Sequence, residues 1–227
     1  WAAHNDFHLD GGCTIEFWVY PREHSNEHMF AVGNYVAAEG ILCYIYSGKL
    51  YIQTRDTSNN GTDNLITNDG PPLDQWTHVA VVKSGSTVSV YQNGTLENSF
   101  THTDDFGSAS NKEFYVGGAS NESGNLKISN FRLVKGTAIY TSSFRPPNEP
   151  LTSITNTKLL CCNNSSVTGS TVTPGTITDN GSVAASIDSP FDDPSGFVFG
   201  ENGDQNIIKC GSYEGIGTSG HKVNIGW

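Results

Sequence analysis

Apolar residues in this chain recur at period two, or on both parities over short runs, and nowhere at helical spacing. Thr14–Tyr20 carries Ile15, Phe17 and Val19 on one parity and Trp18 and Tyr20 on the other. A strand apolar on both faces is a central strand of a packed sheet, and Pro21 ends it. Residues 41–46 and 50–54 are predicted strands flanking the short loop Ser47-Gly48-Lys49. After a polar stretch from Ser58 to Asp74, Trp76–Lys83 and Thr87–Gln92 flank a turn at Ser84-Gly85-Ser86. Asn93-Gly94 then supplies the two positive-φ positions of a type I′ turn, and Thr95–Phe100 returns, giving an antiparallel meander.

Glu113–Val116 reads as a short strand that stops at Gly117-Gly118. Leu126–Lys135 alternates, but its phase slips between Ile128 and Phe131, which predicts a bulge near Asn130. Thr137–Phe144 follows as a further strand-like run, and Arg145-Pro146-Pro147 breaks it. Leu159, Leu160 and Cys161-Cys162 make another strand, and Ile177–Ile187 reads as a closing edge strand. Pro190–Gly196 is the linker candidate, and Phe197–Trp227 begins another β-rich stretch. Turn signals roughly every 8–12 residues without a helical period describe an all-β, two-sheet antiparallel sandwich. The expected division is one domain over 1–191, then a linker and the start of a second β module over 192–227. Starting without Met and ending on Trp227 in mid-pattern, the chain reads as a segment of a longer polypeptide.

Composition narrows the class. The 227 residues include 24 Ser, 21 Thr, 21 Asn and 25 Gly, rich in turn formers and poor in helix formers. Aromatic residues make up 11%, too many for a disordered chain. Only 12 Lys and Arg stand against 23 Asp and Glu, a formal net charge of −11. So few scattered cations cannot build the basic surface that nucleic-acid binding requires. No apolar run approaches the roughly 18 residues of a membrane span, so membrane insertion by a helix is not expected. The five cysteines (Cys13, Cys43, Cys161, Cys162, Cys210) lack CxxC spacing, and read as buried free thiols rather than a disulfide frame or a zinc site. That suits assembly in a reducing cytoplasm. As neighbours on a strand, Cys161 and Cys162 are expected to face opposite ways.

Thr14–Pro21 (TIEFWVYP), Trp76–Gly94 (WTHVAVVKSGSTVSVYQNG) and Ile128–Tyr140 (ISNFRLVKGTAIY) resemble the laminin-G-like, concanavalin-A-like jelly-roll modules. The last, running on through Thr141–Leu160, is similar to the version that recurs in tail-fibre and other appendage proteins of marine bacteriophages, cyanophages especially. Gly196–Trp227 resembles the module that often follows it there. The resemblance implies a jelly roll on a virion assembled in the host cytoplasm, in contact with other virion proteins, usually as a homotrimer. It implies attachment to a host-surface glycan or, alternatively, a purely structural spacer or capsid decoration. A bacterial surface lectin or a glycanase ranks lower. One departure is visible: such modules begin with a strand before the equivalent of Asp6, and little precedes it here.

Candidate chemistry is sparse, and no enzyme is expected. A retaining glycanase needs two carboxylates about 5–5.5 Å apart, and Glu16 is the one acid in an apolar core strand. No GxSxG elbow is present. Gly215–Gly220 matches GxGxxG but leads into the strand-like Val223-Asn224-Ile225 instead of a helix, so it reads as a loop. His24 and His28 share metal-like His-x3-His spacing, as do His4 and His8, but without a helix to align them they read as polar loops. Calcium, which wants about six to eight hard oxygens, is the more serious cofactor. Acid-and-Asn loops occur at Asp56–Asn64, at Asp104-Asp105 and at Asn121-Glu122, and the laminin-G resemblance implies such an ion. Asp104 and Asp105 are the first metal candidates, because adjacent like charges need a reason to be tolerated; ordinary polar loops remain the alternative. Glycan binding needs a flat aromatic for the sugar's CH face, with amides and acids for its hydroxyls. Tyr44, Tyr46 and Tyr51, with Tyr35 nearby, are the ligand candidates, whereas Trp18 and Trp76 are expected in the core.

Overall fold

The computed structural model describes residues 1–33, 38–108, 112–119, 122–181 and 183–191, without the side chain of Leu65. Contacts divide the chain into Trp1–Pro190 and Phe191–Trp227. The proposed linker and second module, with Cys210 and the Gly215–Gly220 loop, lie outside the described residues.

In chain order the first strands are β1 (Cys13–Pro21), β2 (Asn26–Val32), β3 (Ile41–Tyr46), β4 (Lys49–Arg55), β5 (Gly61–Leu65), β6 (Thr77–Ser84) and β7 (Thr87–Gln92). They continue as β8 (Thr95–Thr101), β9 (Phe114–Val116), β10 (Gly118–Ala119), β11 (Glu122–Ser123), β12 (Leu126–Lys135), β13 (Thr157–Cys161) and β14 (Ser170–Val172). One sheet has the order β14-β13-β12-β1-β6-β7-β8 and the other β5-β4-β3-β2-β9, with β10-β11 as a small hairpin. Pairing is antiparallel throughout, and the two sheets form the expected jelly-roll sandwich. Trp1–His4 runs beside β9, Trp1 exchanging backbone hydrogen bonds with Phe114 and His4 N–H donating to the Lys112 carbonyl.

The core lies between the sheets. Phe17 and Phe131 stack at 5.2 Å and 14°, and Phe30 meets both at 5.7–5.9 Å edge to face. Ile15, Val19, Val79, Val81, Ile41, Cys43, Ile45, Leu50 and Ile52 complete the inner layer, all fully buried. β1 sits between β12 and β6, as its apolar faces require. The Asn93-Gly94 turn has φ of 46° and 75°, and the bulge falls on Asn130, φ 51°, where Asn130 and Phe131 oppose Phe17.

Several local expectations fail for physical reasons. Asn26–Val32 is a strand rather than a loop, and it carries His28 buried at 4% exposure. Gly61–Leu65, inside the polar stretch, is an edge strand that needs no apolar face of its own. Thr137–Phe144 is a strap and not a strand. Gly136 (φ 75°) turns it out of β12, and the Thr14 side chain then takes its backbone groups, accepting from Ile139 N–H and donating to Thr137 C=O. Ile177–Ile187 is irregular because an Asp179–Gly181 turn interrupts it and no sheet receives Val183 or Ile187, 62% and 96% exposed. β14 holds that edge instead. Trp18 and Trp76 are half-buried and absent from the inner core, Trp18 standing on the outer side of β1 beside His78. Cys161 ends its strand in the core, but Cys162 (φ 56°) leaves the strand conformation. It therefore packs against the same core, with the two sulfurs 3.8 Å apart.

Candidate binding face

The type I′-like Ser47-Gly48 turn (φ 50° and 73°) sets the register of β3 and β4, so Tyr44 lies opposite Tyr51 and Tyr46 opposite Lys49. Alternation sends Ile41, Cys43, Ile45, Leu50 and Ile52 into the core and leaves the tyrosines on the outer face of the five-stranded sheet. The Tyr44 and Tyr51 rings stack at 5.3 Å and 19°, and Tyr46, 51% exposed, meets Tyr51 at 6.4 Å edge-on. All three ligand candidates thus come together. Tyr35 lies outside the described residues.

Residues the sequence reading did not assign to this face complete it. His28, across from Tyr44 on β2, stands edge-on to its ring at 5.7 Å. Gln53 on β4 pairs with Asp63 on β5 and donates from Nε2 to Asp63 Oδ1 at 2.6 Å. Burial, and next the charge of nearby Asp63, push the Tyr44 phenol pKa up. Burial holds the His28 ring below the ordinary histidine value, against the pull of Glu122 and Glu27. Ala31, Leu42 and Ala119 form a small buried cluster against which Tyr44 and Tyr115 pack. The tyrosine spacing was visible in the sequence. Asp63 was not, because its placement depends on recognising a strand made of Thr62, Asp63 and Asn64.

The metal candidates do not converge. Asp104 Oδ2 accepts from Thr57 N–H at 3.2 Å, while Asp105 Oδ1 accepts from Gly11 N–H at 3.3 Å and Oδ2 lies 3.6 Å from His8 Nε2. Asp56 is consumed by its own loop: Asn60 bonds both its oxygens and, with Ser58 N–H, draws its pKa below the ordinary carboxyl value. His24 bonds the Pro71 carbonyl, and His4 accepts from Asp6 N–H. Among the described residues no group of three or more His, Cys, Asp or Glu side chains is placed to hold a metal ion. These donors do not fit calcium, whose oxygens must point at one centre. Asn121 of the third loop lies outside the described residues.

The outer face of the seven-stranded sheet is closed by contrast. The strap lays Ala138, Tyr140 and Phe144 over Ala80, Val82 and Tyr91, with Tyr140 and Phe144 stacked at 4°. Beneath it Glu16, fully buried, accepts from Arg132 Nε and Nη2 at 2.9 and 2.6 Å, from the Tyr140 hydroxyl at 2.8 Å and from His78 Nε2 at 3.2 Å. Arg132 also donates to the Thr152 carbonyl at 2.7 Å. Burial raises the Glu16 pKa, but the His78 hydrogen bond and the Arg132 charge outweigh it and hold the group below its ordinary value. The acid is not alone as the sequence suggested; its partners are a guanidinium, an imidazole and a phenol.

An antiparallel jelly-roll sandwich is an architecture of lectin-like domains, and the comparisons agree. A laminin-G-type family model, described as the concanavalin A-like lectin/glucanases superfamily, matches residues 1–138. The chain belongs to that superfamily. No curated protein matches it. Among solved structures, a Bacteroides ovatus protein described as carbohydrate-binding is 13% identical, covers 78% of this chain and 56% of its own, and superposes with a TM-score of 0.52. Domains LG4-5 of the mouse laminin α1 chain are 14% identical over 63% of this chain and 42% of theirs, TM-score 0.45. A heptameric SAP-like pentraxin from Limulus polyphemus is 16% identical over 57% and 66%, TM-score 0.43. The chain thus spans two thirds or less of each of these proteins, and the likeness concerns the fold.

Proposed function

We propose that this domain is a non-enzymatic glycan-binding module that presents Tyr44, Tyr46 and Tyr51 to a sugar on a host cell surface, as part of a bacteriophage virion appendage. The observation that carries the binding half is the convergence of three outward tyrosines on an open sheet face of a lectin-type fold. Aromatic faces take up the CH side of a pyranose, and a half-exposed ring keeps its hydroxyl in water. The virion half rests on the sequence resemblance of Thr14–Pro21, Trp76–Gly94 and Ile128–Leu160. Four free thiols, Cys13, Cys43, Cys161 and Cys162, suit assembly in host cytoplasm before release. A homotrimer beside other virion proteins would multiply weak single-site contacts, because tethered copies bind at high effective concentration. Calcium plays no part in this reading.

Binding of the multimer to host cells tests it, with Tyr46→Ala and Tyr51→Ala as controls. Saturable binding is expected, indifferent to EDTA and reduced about tenfold or more by either change. Tyr46→Ala should leave stability within about 0.5 kcal/mol, since an exposed ring contributes little to the core. A multimer that binds no host surface would instead be a spacer or capsid-decorating module, and hydrolysis of a glycan would make it an enzyme.

A further inference from the structure

Resting on the reading of the tyrosine face as a sugar site, we infer that its ligand is a neutral saccharide with adjacent free hydroxyls, and that Asp63 is the residue that recognises them. Tyr44, Tyr51, Gln53 and Asp63 come from three adjacent strands in direct register, Tyr44 opposite Tyr51 and Gln53 opposite Asp63. The stacked pair therefore borders a carboxylate on an exposed edge strand. A carboxylate offers about four acceptor positions, and here Gln53 Nε2 occupies one of them at 2.6 Å. Asp63 is exposed, so further acceptor positions remain open to solvent beside the rings. An acceptor pair next to an aromatic wall suits two neighbouring hydroxyls of a pyranose, each donating one hydrogen bond, while the ring's apolar side rests on tyrosine.

The charge selects against acidic sugars. A uronate or sialate carboxyl placed at Asp63 would bring two like charges together beside the rings. Arg55 donates to the Asn59 carbonyl at 3.1 Å, and Lys49 sits beside Tyr46, two register positions beyond Tyr51. A formal net charge of −11 adds a repulsive background. Gln53 acts through Asp63 as a positioning residue: its Nε2 fixes the carboxylate, and its Oε1 is shielded from solvent.

The test uses the full chain on a printed array of neutral oligosaccharides, terminated in glucose, galactose, mannose or fucose, beside uronate- and sialate-terminated ones. Neutral probes are expected to bind. Asp63→Asn, near-isosteric and on an exposed strand, should weaken the best neutral probe about tenfold or more without changing the melting temperature. Gln53→Ala should weaken it less, and that loss should vanish in the Asp63→Asn background, which independent structural damage would not produce. Binding lost in Tyr46→Ala but unchanged in Asp63→Asn overturns the role of Asp63 while the tyrosine face stands. Preference for the acidic probes overturns the ligand class. Binding to no probe overturns the sugar site itself.

Discussion

The two outer faces of this sandwich begin from the same strand alternation and end in opposite states. On the seven-stranded sheet Glu16, His78 and Arg132 point away from the core, yet the Thr137–Phe144 strap covers that face and they are buried and satisfy one another. On the five-stranded sheet Tyr44, Tyr46, Tyr51 and Asp63 point away from the core too, and they stay accessible. The covered face holds a charge in place with a guanidinium, a phenol and an imidazole, which makes it a structural element. The open face holds an exposed carboxylate with one amide beside stacked tyrosine rings, which makes it a candidate for a ligand. A polar residue on a sheet face therefore says little until its cover is known.

The sharpest way to break the contrast is Arg132→Met. Glu16 would be left buried without its guanidinium, at a cost of about 3–5 kcal/mol by urea unfolding, whereas Tyr46→Ala on the open face should cost almost nothing. Equal costs would mean that the strap does not seal the face. A smaller loss, about 1–3 kcal/mol, is expected for Gly94→Ala. Gly94 has φ 75°, its carbonyl accepts from Phe144 N–H at 2.8 Å, and an added Cβ would overlap the Phe144 carbonyl oxygen. That variant should loosen the strap while glycan binding at the other face survives.

Acid should separate the faces more gently. Glu16 has its pKa depressed in the fold, so its contribution is present above the unfolded value, near 4.5, and is lost as pH falls below it. His28 and His102 are also depressed, both chiefly by burial, so their proton uptake on unfolding erodes stability from about pH 6.5 downward. Thermal melts from pH 8 to 3 should show a shallow decline below 6.5 and a steeper one below 4.5. His28→Gln should flatten the first limb, and a melt insensitive to pH across that limb would contradict the burial of these rings.

Short-range patterns carried much of this into the sequence. Apolar residues on both parities of Thr14–Tyr20 announce a central strand, because such a strand must be covered on both sides. Asn93-Gly94 and the phase slip at Asn130 mark backbone that only a positive φ relieves, and both fall where expected. The tyrosine cluster follows from a short turn joining two alternating strands. Asn26–Val32, Gly61–Leu65 and the edge strand Ser170–Val172 were missed, and in each of them polar residues hold sheet positions.

What the chain determined by itself was local: where strands run, which parity is apolar, and where the backbone reverses. These depend on side-chain alternation and φ preferences within a few residues. Tertiary structure alone decided that Thr137–Phe144 would become a cover and not a strand, and that Glu16 would meet Arg132 across 116 positions. It also decided that Asp63 would stand beside Tyr44 while Asp104 and Asp105 would turn to separate loops. The reason is that burial and hydrogen-bond satisfaction are properties of pairs brought together by the sheet register, and no residue carries its partner in its own neighbourhood of the sequence.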